Sequence, residues 1–243
     1  MSSAPFALPS LPTAPKGTCR EVRGAWKYLE ATHASVDGLL LSYRRLRKGH
    51  ERGAIGRPRT EETDILRSAI VFTSSGVDAC CKMLLRESLP TLLTRDSAAR
   101  RKFESFLREE IGQPRNKADL HEALIHTSPR ERLIDYYVDS QTRGSLQSSG
   151  DLRKRVKQTL GIPDAVVTDE VLISLDPFFK ARNQVVHDMD FRSLRDAVSA
   201  PTRGASRHPR TEKTVAGQCG AALTTVADLI HATAVVLRTR TPA

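Results

Sequence analysis

The amino-acid sequence predicts an all-α fold, a multi-helix bundle with a long C-terminal helix. Apolar positions recur at three- and four-residue steps over long stretches. No alternating apolar–polar run of useful length occurs, and polar stretches holding Gly and Pro separate the periodic segments. No internal repeat is present.

Residues 1–17, MSSAPFALPSLPTAPKG, are rich in Pro, Ser and Ala, lack a period, and read as a flexible arm. From about Cys19 to Lys48, Val22, Trp26, Leu29, Val36, Leu40 and Tyr43 fall on one helical stripe, with His33 as a core or rim histidine. RRLRKGHERGAIGRPR (Arg44–Arg59) then breaks the pattern as a basic loop with seven Lys or Arg. A second long helix starts near Thr60, with Glu62 and Thr63 in its first turn. Its stripe is Leu66, Ala69, Ile70, Thr73, Val77, Cys80 and Leu84, and Pro90 marks its end. SAARRKFESFLREEIG, NKADLHEALIH and SPRERLIDYYVDSQ predict three shorter helices broken at Pro114 and Pro129, with Ser128 and Pro129 suited to N-cap and N1. DLRKRVKQTLGI follows the loop Gly144–Gly150 as a short basic helix closed by Gly161. Asp169 to His187 is helical in pattern, with Pro177 starting or kinking a turn. Residues 192–210 are basic and loop-like. The last helix, from about Thr211 to Arg238, repeats Val215, Cys219, Ala222, Val226, Leu229, Thr233 and Val236.

A hydrophobic share of 39% and a charged share of 27% are those of an ordinary soluble globular chain, and 243 residues suffice for one sizeable core. The expected organisation is the arm at 1–17 and a single domain at 18–243, with its core at about 60–240. No stretch approaches about 18 consecutive apolar residues, and the N-terminus lacks a secretory pattern, so no membrane span and a cytoplasmic location are expected. Cys19, Cys80, Cys81 and Cys219 form no CxxC and read as small buried hydrophobes. No structural zinc site, other metal or cofactor is expected.

Thirty-eight Lys and Arg against 28 Asp and Glu leave a net charge of +10. An Arg-rich excess suits a polyanionic partner. The chain has no GxxxxGK[ST], GxGxxG, HExxH or GxSxG, and no acidic clustering of the two-metal kind. What remains is Arg with His, which supports metal-independent RNA cleavage. The ribose 2′-OH attacks its own phosphodiester, a guanidinium neutralises charge on the phosphorane, and an imidazole moves protons.

Arg followed by His after five or six positions occurs four times: Arg44 or Arg45 to His50, Arg115 to His121, Arg182 to His187, and Arg203 to His208. The first and last lie in Gly- or Pro-containing loops. Only RNKADLH and RNQVVH also place Asn after the Arg, and RNKADLH sits behind Pro114 at a helix start. In KARNQVVHDMDF, Asn183 and His187 share a helical face, whereas Arg182 stands about 140° round and must reach across. Val185 and Val186 give that turn an apolar side. Arg182 and His187 are therefore the candidate catalytic pair, with Asn183 in support.

RNQVVH resembles the R-N-x(3)-H motif of HEPN domains, the helical higher-eukaryote-and-prokaryote nucleotide-binding family. ILRSAIVFTSSGVDACCKMLL (Ile65–Leu85) is similar to the first core helix of its RiboL-PSP branch. The resemblance spans roughly Thr60 to Arg238. It implies a HEPN-type bundle that dimerises with two motifs facing one cleft, and an endoribonuclease leaving 2′,3′-cyclic phosphate and 5′-OH ends. Such members act as toxins or anti-phage effectors, some with an antitoxin or defence-system partner; others are non-catalytic RNA-binding or dimerisation modules. Members paired with a nucleotidyltransferase antitoxin carry Tyr two positions after the His, where this chain has Met189. RNA contacts are expected at Lys180, Arg192 and Arg195 and along the basic segments. With 5% aromatic residues, no base-stacking platform is expected.

Overall fold

The computed structural model describes residues 7–16, 19–49, 58–113, 117–193 and 207–239. The fold is all-α, with no strand among the described residues. Helix α1 spans Arg23–Gly49 behind a 3₁₀ turn at Arg20–Val22, α2 Thr60–Arg95, α3 Ser97–Gly112, α4 Ala118–Ile125 and α5 Pro129–Thr142. A short turn, α6 (Ser149–Asp151), runs into a π-helix at Leu152–Lys157. Then follow α7 (Asp169–Ile173), α8 (Asp176–Asp188) and α9 (Glu212–Thr239).

The long helices α1, α2 and α9 form the centre, and their apolar stripes explain why. Every stripe residue predicted for the three helices is buried. Hydrogen bonds fix the directions. The Gly24 N–H donates to Glu87 at 3.0 Å and Arg47 to Glu62 at 3.3 Å, so α1 runs antiparallel to α2. Cys219 lies against the Ala69 carbonyl and Arg95 against that of Leu237, so α9 runs parallel to α2. At Gly76 the α1–α2 crossing is so close that any Cβ would collide with Thr32. By length and composition α2 and α9 are apolar enough to cross a membrane. However, 56% and 72% of their most apolar stretches are buried inside the bundle, as in core helices.

Four expectations change. Helix α2 does not stop before Pro90 but continues to Arg95, because Leu89, Leu92 and Leu93 are buried on either side of the proline and offset the one backbone bond it lacks. Asp96 then ends α2 and caps α3, accepting from the N–H groups of Ala98 and Ala99 at 3.3 and 2.9 Å. The stretch Asp169–His187 is not continuous but divides into α7 and α8, and Pro177 starts the second, as its position predicts. The basic segment after Gly150 winds as a π-helix, marked by the Gln158 N–H bonding to the Arg153 carbonyl, and Gly161 closes it at a φ of 64°. Finally, described residues of the segment read as a flexible arm lie against the bundle: Leu8 is buried, and Pro9 bonds through its carbonyl to His33 at 2.8 Å.

Candidate functional site

Helix α8 is anchored by Phe178, Phe179 and Ala181, which are buried, with Leu172 and Leu175 beneath them. Burial of those positions turns Lys180, Asn183 and His187 outward, spaced three and four apart along one exposed edge. Arg182 begins on a neighbouring, half-buried line and folds across: its Nη1 donates to Oδ1 of Asn183 at 2.9 Å. Its Nε is buried with no hydrogen-bond partner among the described residues. The structure thus brings Arg182 onto Asn183, with His187 one turn further along. His187 is exposed and makes no hydrogen bond or ion pair among the described residues.

The turn after His187 has an unusual construction. Met189 and Asp190 are both left-handed, with φ of 50° and 63°, and the Asp190 N–H returns to the Gln184 carbonyl at 2.8 Å. The Met189 N–H closes on the same carbonyl, five residues back, so the helix ends through two left-handed residues without the customary glycine. Asp190 is 0% exposed. Its carboxylate accepts from Arg67 Nε at 2.7 Å and from Arg210 Nε and Nη2 at 3.1 and 2.5 Å. Arg210 also reaches the Gln184 side chain at 3.0 Å. Arg67 donates further to Thr63, Asp64 and the His208 carbonyl at 2.8, 3.1 and 3.2 Å. Arg207 pairs with Asp64 at 2.6 Å and covers the Phe191 ring at 5.1 Å, while Phe191 and Arg207 form an isolated antiparallel bridge. One buried charge network therefore fixes the turn after the motif to α2 and to the start of α9.

The sequence pattern missed this network. Its one visible trace was Arg67, which sits three positions before Ile70 and so falls on the buried side of α2. Between α2 and the end of α8 lies a groove of about 500 Å³ lined by Asp64, Val71, Phe72, Val185, Met189 and Arg207 among others.

The other candidates fare differently. Arg192 is exposed beside the bridge, whereas Arg195 lies outside the described residues. So do Arg115, His50 and Arg203. His121 is exposed on α4, away from any assembled pair, and Arg44 is held by Glu212 at 2.5 Å. At the α3–α5 end, hydrogen bonds from Lys117 and the Tyr136 hydroxyl hold the Glu110 carboxyl below its usual range. Burial and that same bond push Tyr136 up to about 12. Among the described residues no three His, Cys, Asp or Glu side chains are grouped to hold a metal ion. Comparison of the chain with protein-family models, with curated proteins and with solved structures returned no match.

Proposed function

We propose that this chain is a metal-independent endoribonuclease of the HEPN kind, working as a cytoplasmic homodimer and as a toxin or anti-phage effector. The observation that supports this most is the outward edge of α8, where Arg182 turns onto Asn183 and His187 follows one turn later. In this reading an RNA phosphate sits against Arg182 and Asn183, with Lys180 and Arg192 as flanking cations. His187 moves the proton as the 2′-oxygen bonds to phosphorus and the bond to the 5′-oxygen breaks. The 2′-hydroxyl proton is lost, the 5′-oxygen gains one, and the ends are a 2′,3′-cyclic phosphate and a 5′-OH. A second motif from a partner copy would complete the cleft.

The test is RNA cleavage in EDTA by the wild type and by Arg182→Ala and His187→Ala. Both variants should lose cleavage, with unchanged helical circular dichroism. If both cut as the wild type does, the site is elsewhere. One observation favours a second reading, a non-catalytic RNA-binding or dimerisation module: among the described residues no group holds the His187 ring in one tautomer. That reading requires salt-sensitive RNA binding, or a dimer by light scattering, with no cut.

A further inference from the structure

We propose that the groove between α2 and the end of α8 is a subsite for one unpaired nucleobase bearing an exocyclic amino group; this rests on RNA being the substrate. At about 500 Å³ it has the size of a ligand pocket. Its walls are mainly apolar, from Val71 and Phe72 on α2 and Val185 and Met189 on α8. Phe72 is 47% exposed and Met189 61%. The aromatic content of the chain pointed to no stacking platform, and the groove supplies a single open ring of the kind a single base stacks on. Helical side chains lean toward the N-terminus, which carries the Phe72 ring over the turn of Ser68, toward Asp64.

Asp64 gives that end its chemistry. Its Oδ1 accepts from Arg67 and Arg207 at 3.1 and 2.6 Å. Its Oδ2 has no partner among the described residues, and the side chain is 49% exposed. A free carboxylate oxygen accepts from the exocyclic amino group of cytosine, adenine or guanine, whereas uracil has no amino group and can donate only from its ring N3–H. Charge at the groove suits a nucleotide as well. Arg67, Arg207 and Arg210 exceed Asp64 and Asp190 by one positive charge, here where the ion pairs converge. Val185 and Met189 bracket His187 in sequence and stand on the other side of α8, about 10–12 Å across. A single strand crossing the end of α8 would present a phosphate to His187 and a neighbouring base to the groove.

The test is methyl NMR of the full-length protein titrated with cytidine monophosphate, uridine monophosphate and inorganic phosphate. Cytidine monophosphate should shift the Val71, Val185 and Met189 methyls, with uridine monophosphate about tenfold weaker, the loss expected for one hydrogen bond to a charged group. Phe72→Ala should abolish the shifts and Phe72→Trp should keep them. Equal response to both nucleotides, response to phosphate alone, or binding undiminished in Phe72→Ala overturns the proposal. So does a dimer in light scattering that buries the groove and dissociates in Phe72→Arg. Base binding by a wild type that cuts no RNA keeps the subsite and removes the ribonuclease; cleavage with no methyl response does the reverse.

Discussion

Replacing Asp190 by Asn is the sharpest probe of how the candidate site is held. Asn tolerates the left-handed backbone that Asp190 adopts, so the substitution removes charge without adding strain. At 2.7 Å from Arg67 Nε, and with an effective dielectric of about 20, one such ion pair has a Coulomb energy near 6 kcal/mol before desolvation. Removing one member of a buried pair costs about 3–5 kcal/mol, because the partner's charge stays buried. Two guanidinium groups lose their carboxylate here, yet Arg67 keeps Thr63, Asp64 and His208, and Arg210 keeps Gln184. The loss should therefore sit near the low end, about 3 kcal/mol, or roughly 6–12 °C in Tm for a chain of this size. Urea unfolding followed by circular dichroism measures it. Asp64→Asn, at a half-exposed carboxylate, should cost well under half as much. A loss below about 1 kcal/mol for Asp190→Asn would refute the view that this network organises the turn.

Three further outcomes follow from the packing. Gly76→Ala should cost about 2 kcal/mol or more in urea melts, since Thr32 occupies the space the methyl would take; a neutral result would mean that the α1–α2 crossing is wider than described. Lys157 is 4% exposed and bonds to Asp164 and to Asp169, the latter at 2.6 Å. Burial alone would lower its pKa, but the two carboxylates outweigh that and raise it, while its bond to Asp169 lowers that carboxyl. A raised lysine stabilises below its unfolded pKa and stops doing so as pH rises through the folded one. A lowered carboxyl does so above its unfolded pKa and fails as pH falls. Lys157→Met should therefore flatten the stability profile at both extremes, acid and strongly alkaline, and an unchanged profile would count against the staple. Burial pushes Cys80 up to about 12 and Cys219 up to about 11, and holds Cys81 well above its ordinary value. Thiol reagents at neutral pH should then label these three only after unfolding, and prompt labelling of the native chain would contradict their burial.

Much of this fold was legible because a packed helix writes its buried face at a fixed step. Val22 to Tyr43, Leu66 to Leu84 and Val215 to Val236 are core residues in the structure, as their spacing predicts. Boundaries were harder, since Pro90 and Pro177 carry the same local signal with opposite results. One lies inside a helix stabilised by buried leucines on both sides, and the other opens a new helix. The shared exposed face of Asn183 and His187 was also readable from angular spacing, as was the different line on which Arg182 starts. The network behind it was not. Arg67 and Asp190 are 123 residues apart, and periodicity is silent about which distant charges meet.

Residues 7–16 have a consequence for any trimming of this chain. Leu8 is buried, Leu11 packs on the core, the Pro9 carbonyl bonds to His33 on α1, and the Pro9 ring fills the space beside Gly220 on α9. The segment therefore touches both α1 and α9, two helices that run antiparallel. A chain cut to begin at residue 18, where composition alone would place the start of the domain, would leave that seam open to water. The compositional border and the folding border of this protein are different places.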